Sequence, residues 1–311
     1  MLIKPNPLKK NDVIGLITPA STPADLSRIE KSVRYFEKIG YRVVVGKNVG
    51  KKYYYLAGTD EERVEDIHSM FENKNIKAIF CLRGGYGTVR LLNKIDYNLI
   101  KKNPKIFVGY SDITALQMAF LTQANLVTFS GPMPAVDFYD NVSSYTEEIF
   151  WDLVTNIHNK YEYKFKNNIV SITKSSARGI AIGGNFIVFN SLIGTKYFPS
   201  LHKKILFLEE VEEKPYKIDR MLAHLKLNKE YNKIKGFVFG QFEDCTDNNP
   251  EENIEIENLL RQYLKDETIP VLYNINFGHI KDFITIPFGI RVSINSSNKT
   301  IKLLESCLNG D

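Results

Sequence analysis

The sequence predicts an α/β fold. Its first half should form a mostly parallel sheet covered on both faces, and its second half should be more β-rich. Two observations carry this. In the first half, short apolar runs alternate with amphipathic stretches at helical spacing, the pattern of buried parallel strands joined by helices. In the second half the alternation is less regular, and the chain ends in two strand-like runs separated by Asn295-Ser-Ser-Asn298, a β-hairpin pattern.

Val13–Thr18 reads as a buried strand stopped by Pro19, and Thr22 is expected to cap a helix with Pro23 at its first position. Leu26, Ile29, Val33, Phe36 and Ile39 fall at helical spacing and the helix should stop at Gly40. Arg42–Val45 is the next strand. Asp60 is then expected to cap a helix bearing Val64, Ile67 and Phe71 on one face. Ile76–Leu82 and Ile106–Val108 are strands that end in Arg83-Gly84-Gly85-Tyr86-Gly87 and Gly109-Tyr110-Ser111-Asp112, the second followed by a helical stretch through Gln123. Leu126–Phe129 is a fifth strand. Between Asn156 and Asn168 the composition shifts to Lys, Asn and Tyr, which sets two domains, 1–160 and 161–311. Beyond that shift, Ile169–Thr173, Gly179–Ile182, Ile205–Leu208, Gly236–Phe242 and Val271–Ile275 read as strands. A helix follows Gly183-Gly184-Asn185, and two more carry Ile218, Leu222 and Leu225, and Ile256–Leu264.

A chain of 311 residues has ample length for a buried core, and 43% hydrophobic with 25% charged residues argues against disorder. Forty-one basic against 36 acidic residues leave a charge of +5, too mild and too scattered to demand nucleic acid, and equally suited to an anionic small substrate. Cys81, Cys245 and Cys307 form no CxxC pair, and a sparse odd count fits a reducing compartment. The amino terminus lacks a continuous apolar signal region, and no apolar run approaches the ~18–20 residues of a membrane span, so a cytoplasmic protein is expected.

Ser111 lies between an apolar strand and a helix, a position that presents a hydroxyl beside helix N–H groups able to stabilise developing negative charge. The pattern G-x-S-x-G is not met, because Ile113 occupies its last position, and Ser111 could equally be a simple helix cap. The glycines of the Arg83–Gly87 turn allow close approach of backbone to a ligand, as half of an oxyanion hole or an anion-binding turn, or they serve only a tight connection. A serine nucleophile needs a base. Among five histidines, His279 follows Gly278 just past an apolar strand, while His68 and His224 lie in helices, His158 in the linker and His202 in a loop. The base in turn needs a carboxylate, for which Glu209 and Glu210, at the end of KKILFLEE, compete with Asp12, Asp112 and Asp244. No HExxH and no histidine cluster supports a metal site.

Together the segments DVIGLITPAS, YYYLAGTDEERVEDI, CLRGGYGTVRLL, VGYSDITAL, LVTFSGPM, GGNFIVFNSLIGTKYFP, ILFLEEVEEKPYKIDRMLAHL, FGH and IPFG resemble, in this order and almost end to end, the LD-carboxypeptidases, a serine peptidase family that also contains the microcin self-immunity hydrolases. The resemblance implies a Rossmann-like N-terminal domain carrying the serine, a smaller β-rich C-terminal domain carrying Glu and His, an active site in the cleft between them, and commonly a homodimer. It also implies a Ser–His–Glu triad at Ser111, His279 and Glu209, with oxyanion-hole N–H groups at Gly85 and Asp112. The family usually has Glu-Asp where this chain has Glu209-Glu210. Side chains alternate along a strand, so only one of the two can reach His279; Glu209 is expected, with Glu210 as the runner-up.

Such chemistry requires no metal or organic cofactor. An exopeptidase reads a free carboxylate, and Arg83 is the nearest cation by sequence, although it could equally brace the glycine turn. The implied substrate is a cytoplasmic murein tetrapeptide, cut at the bond between an L-centre and the terminal D-Ala during cell-wall recycling. Two alternatives stand beside it: a self-immunity type hydrolase of peptidyl or aminoacyl nucleotide antibiotics, and a non-catalytic protein that binds peptidoglycan fragments. For the first, an aromatic on an extra loop would stack on the base, and the lone Trp151 falls in a predicted helix instead.

Overall fold

The computed structural model describes residues 1–310. In chain order its strands are β1 (Val13–Ile17), β2 (Arg42–Val45), β3 (Ile76–Cys81), β4 (Ile106–Gly109), β5 (Thr128–Ser130), β6 (Tyr161–Glu162), β7 (Val170–Ser171), β8 (Ser176–Asn185), β9 (Lys204–Val211), β10 (Gly236–Glu243), β11 (Val271–Tyr273), β12 (Ile286–Phe288), β13 (Arg291–Asn295) and β14 (Thr300–Leu303). The helices are α1 (Ser27–Lys38), α2 (Asp60–Glu72), α3 (Tyr97–Lys102), α4 (Thr114–Ala124), α5 (Pro134–Asp137), α6 (Ser144–Thr155), α7 (Phe186–Ser191), α8 (Pro215–Lys226) and α9 (Ile256–Leu264). The chain divides into two compact units. One comprises Met1–His158, Thr285–Gly289 and the residues from Ser306; the other comprises Asn159–Ile284 and Ile290–Glu305.

The first unit is built on a six-stranded sheet ordered β12-β5-β4-β3-β1-β2. Its five N-terminal strands pair in parallel, and β12 joins antiparallel along β5. Every residue of β1 and β4 is buried, which is why these strands read as unbroken apolar runs rather than alternating ones. Pro287 is tolerated in β12 because that strand lies at the edge of the sheet. The second unit holds an eight-stranded sheet ordered β6-β14-β13-β8-β9-β10-β11-β7. Four consecutive strands, β8 to β11, run parallel, and the pairings outside them are antiparallel, including the expected terminal hairpin of β13 and β14.

Three local expectations are corrected. Thr22 does not cap α1: its hydroxyl donates to the carbonyl of Lys51, and the helix begins only at Ser27, whose N–H and hydroxyl bond to Asp25 at 2.9 and 2.8 Å. The cap of α2 is Thr59 rather than Asp60; Thr59 and Glu62 form a reciprocal capping box. The fifth strand starts at Thr128, because Leu126 instead bridges to Ile3. Trp151 lies in α6, stacked on Tyr41 with ring centres 5.0 Å apart, and its indole N–H donates to Tyr35 at 2.9 Å. No helix among the described residues is long and apolar enough to cross a membrane.

Candidate active site

In the first unit, β4 stops at Gly109, Tyr110 is extended, and Ser111 turns the chain into a short 3-10 turn that runs into α4. Ser111 adopts φ +63°, in the left-handed region. A non-glycine residue there costs about 1–2 kcal/mol, and such strain persists only where the surroundings impose it. Gly109 helps impose it: a Cβ at that position would sit 2.9 Å from Ile113 Cγ2, so only glycine lets the turn fold back this closely. Gln117, buried on α4, donates to the carbonyls of Gly109 and Phe129 at 2.9 and 2.8 Å and ties the turn to β4 and β5. Ser111 opens the 3-10 turn instead of capping it; the capping position is Tyr110, whose side chain makes no cap hydrogen bond to the turn.

The Arg83–Gly87 turn packs directly against this serine. A Cβ on Gly84 would lie 2.7 Å from Ser111 Cβ, 2.8 Å from its Oγ and 3.5 Å from the backbone nitrogen of Asp112. Gly85 and Gly87 have φ of +122° and +116°, values that L side chains rarely adopt. Ser21 holds the turn from one side: its N–H donates to the Gly84 carbonyl at 3.3 Å, and its hydroxyl accepts the Tyr86 N–H at 3.3 Å. Asp112 holds it from the other. Its carboxylate accepts the Thr88 N–H at 2.9 Å, and the Thr88 hydroxyl donates to its carbonyl. Burial raises the pKa of the Asp112 carboxyl, opposed by N–H groups of Thr88 and Gly87 and by the charge of Arg63. The guanidinium of Arg63 is itself buried, donating to the carbonyls of Pro19 and Gly87 at 2.7 and 3.1 Å and to Asp60 at 2.6 Å. Arg83 is half-buried, and its Nε donates to the Gly84 carbonyl at 3.2 Å. It also lines a cavity of about 490 Å³ together with Ser21, Lys52, Tyr54 and Tyr55.

In the second unit, β9 runs through both glutamates to Val211, so they lie within the strand rather than past its end. Their side chains diverge. Glu209, 1% exposed, accepts His279 Nδ1 at 2.7 Å on Oε2, while its Oε1 is buried without a hydrogen-bond partner among the described residues. A carboxylate only accepts, so this pairing calls for the proton on Nδ1, the tautomer in which a neutral imidazole has its lone pair on Nε2. Gly278, at φ +121°, makes the pairing possible: a Cβ there would lie 2.9 Å from Glu209 Oε2. Asn276 anchors the loop, accepting the N–H groups of Lys166 and Asn167 at 2.9 and 3.0 Å. Glu210 faces the other way. It accepts Asn185 Nδ2, the Ile187 N–H and the Val211 N–H at 2.8, 2.8 and 2.9 Å, fixing the start of α7. Burial, and then the charge of Glu209, push its carboxyl up to about 7.

The remaining candidates have other partners. His68 accepts the Asp96 N–H at 2.9 Å, His158 pairs with Asp152 at 3.0 Å, and His224 pairs with Asn190 at 2.8 Å. His202 is exposed, with its backbone N–H on Ser200. Asp12 accepts the Lys9 N–H at 2.8 Å. Among the described residues no group of three or more His, Cys, Asp or Glu side chains converges to hold a metal ion. Sequence reasoning missed Ser21, Arg63 and Thr88; each acts through residues more than twenty positions away, so no local pattern marks it.

Two family models match the chain, the LD-carboxypeptidase N-terminal domain over residues 14–131 and the LD-carboxypeptidase C-terminal domain over residues 178–294. The chain is 35% identical over 298 residues to a probable murein peptide carboxypeptidase of Bacillus subtilis, covering 96% of this chain and 93% of that protein. It is 30% identical to the microcin C7 self-immunity protein MccF of Escherichia coli, covering 97% and 96% of the two chains. Its structure superposes on the crystal structure of the muramoyltetrapeptide carboxypeptidase from Oxalobacter formigenes with a TM-score of 0.82 at 31% identity, over 94% of this chain and 97% of that one. Matches in both halves and along nearly the full length lead to one conclusion: the chain belongs to the LD-carboxypeptidase family of peptidases.

Proposed function

We propose that the protein is a serine carboxypeptidase that removes the terminal D-Ala of cytoplasmic murein tetrapeptides at the bond between an L-centre and D-Ala. The observation that carries the reading is the pairing of His279 Nδ1 with a buried Glu209 carboxylate, which leaves Nε2 as a base. In the proposed cycle, Nε2 takes the proton of Ser111 as its oxygen attacks the amide carbonyl. The N–H groups of Gly85 and Asp112 receive the oxyanion, each such donor lowering the barrier by about 3–4 kcal/mol in comparable enzymes. His279 then protonates the departing amine of D-Ala, and water, deprotonated by the same imidazole, hydrolyses the acyl-enzyme and restores Ser111. The left-handed strain at Ser111 and the glycine contact over its hydroxyl support its assignment as nucleophile. Replacing Ser111 by Ala and measuring D-Ala release from a tetrapeptide tests the scheme; turnover that persists undiminished removes it.

A second reading is favoured by the 30% identity to MccF over 97% of the chain: hydrolysis of a peptidyl or aminoacyl nucleotide by the same residues. Against it, Trp151 lies in α6 of the first unit, stacked on Tyr41 and bonded to Tyr35, and not on an extra loop. Purified protein assayed side by side on a tetrapeptide muropeptide and on an aminoacyl sulfamoyl adenosine separates the two, and activity on the second substrate alone reverses the order. A binding protein without turnover would leave Ser111 unlabelled by a serine-reactive probe.

A further inference from the structure

The cavity bordered by Arg83 has features that neither the oxyanion turn nor the nucleophile requires. At about 490 Å³ it is several times larger than an alanine side chain needs, and its walls hold two cations, Lys52 and Arg83, but no carboxylate. Neither cation has a carboxylate partner among the described residues. Its rim is aromatic. Tyr53 and Leu56 close a tight turn through reciprocal backbone bonds of 2.8 and 2.9 Å, and the turn projects Tyr54 and Tyr55 at its tip, 75% and 62% exposed. Tyr54 holds φ +54°, a strained conformation that leaves its ring three-quarters exposed, meeting only Tyr53 edge to face at 4.8 Å among the described rings. Tyr86, on the glycine turn, extends the patch by meeting Tyr55 edge to face at 5.5 Å. Ser21 welds these pieces together: its hydroxyl donates to the Tyr55 carbonyl at 2.7 Å and accepts the N–H of Tyr86. The tyrosine turn is therefore built onto the same backbone that approaches Ser111.

Unpaired cations beside exposed ring faces complement a ligand that carries an anion next to a ring. We propose that this cavity is a recognition subsite for a ring-bearing, negatively charged portion of the substrate, with Lys52 and Arg83 taking the anion and Tyr54 and Tyr55 packing on the ring. Two sources supply that chemistry: the sugar and stem carboxylates of a muramyl peptide, or the base and sulfamate or phosphate of an aminoacyl nucleotide. The subsite belongs to either reading of the activity and does not depend on which one holds.

The test uses the full chain carrying Ser111→Ala, so that bound ligands persist, and measures Kd calorimetrically for three probes: a free tetrapeptide, the same peptide on N-acetylmuramic acid, and an aminoacyl sulfamoyl adenosine. Adding Lys52→Met should weaken at least one ring-bearing probe by about tenfold, and Lys52→Arg should largely restore it. Tyr54→Gly with Tyr55→Ala, where glycine accepts the left-handed turn, should weaken the same probe about tenfold while shifting the free tetrapeptide less than twofold. The probe that responds identifies the source. Kd values within twofold of the parent for both ring-bearing probes, in variants with an unchanged melting temperature, overturn the proposal, as does a parent that binds neither. D-Ala release by the unmodified protein is a separate readout, so loss of the subsite and loss of the proposed activity are distinguishable.

Discussion

Replacing Glu209 by Gln changes one atom of the dyad and should be among the most damaging substitutions in the protein. The carboxylate lies 2.7 Å from His279 Nδ1 and its side chain is 2% exposed, so little water screens the pair. Opposite charges about 4 Å apart attract by ~4 kcal/mol at an effective dielectric of ~20, and this is the stabilisation that the imidazolium loses when Gln is present. At 1.36 kcal/mol per decade that amounts to about 10³-fold in rate. A further loss follows from the tautomer. The Gln amide can donate to Nδ1, which moves the ring proton to Nε2 and blocks the proposed role of that nitrogen as base, extending the fall toward ~10⁴-fold. The assay is kcat/KM for D-Ala release from a tetrapeptide, with a thermal melt to establish that the variant folds. A folded Glu209→Gln protein within tenfold of the parent would refute the pairing as the source of the base.

Gly84→Ala should fold and still be crippled if Ser111 is the nucleophile we propose: its Cβ would sit 2.8 Å from Ser111 Oγ, and displacing the attacking oxygen by up to ~1 Å costs about 10²-fold in kcat, read from the same release assay. Arg63→Met strands the Pro19 and Gly87 carbonyls and removes a buried charge from Asp60, so urea unfolding should show a loss of about 3–5 kcal/mol. Glu210 sets a pH dependence of stability. Its carboxyl rises from 4.5 to about 7 on folding, so between those values the native state holds a proton that the unfolded state has released, and stability falls as pH rises. The full effect is about 3 kcal/mol between pH 4.5 and 7, and Glu210→Gln should flatten that slope in urea titrations, whatever it does to absolute stability.

What could be read from residues alone follows from the range of the forces involved. Ile256–Leu264 is delimited because hydrophobic spacing is local and Ile256, Leu259, Leu260 and Leu264 share one buried face, and Arg42–Val45 because a run of three valines favours a strand even where, as here, it is mostly exposed. The turns at Arg83–Gly87 and Gly278-His279 were visible because glycine marks positions where backbone must turn or approach closely, and the φ values and contacts there require it. The start of α1 was misplaced because Thr22 and Pro23 form a good local cap, yet Thr22 bonds to Lys51, 29 residues away, and that contact removed it from the helix. Strand β12 was unreadable for a related reason: three residues, one of them proline, gain strand character only by pairing with β5, more than 150 positions earlier. Ser21 and Arg63 belong to the same class, since their work lies in contacts with carbonyls and N–H groups distant in sequence.

The candidate residues of the two units pay for their arrangement in different currencies. In the first unit the cost is conformational: Ser111 and Tyr54 sit in left-handed backbone at about 1–2 kcal/mol each, held by Gln117, Ser21 and the Thr88–Asp112 pair. In the second unit the cost is electrostatic: two adjacent carboxylates are buried in one strand. Glu210 offsets its share with three donors, whereas among the described residues Glu209 has a buried oxygen without a partner and a hydrogen bond from His279 alone. That asymmetry carries a consequence for mutation. His279→Ala would leave Glu209 buried with no partner on either oxygen, so it should destabilise the second unit as well as abolish turnover, whereas Ser111→Ala removes only a hydroxyl and should leave stability unchanged or improved. Comparing the two variants by urea unfolding tests the point; a His279→Ala protein as stable as Ser111→Ala would mean that Glu209 takes up a proton at little cost and does not depend on the imidazole.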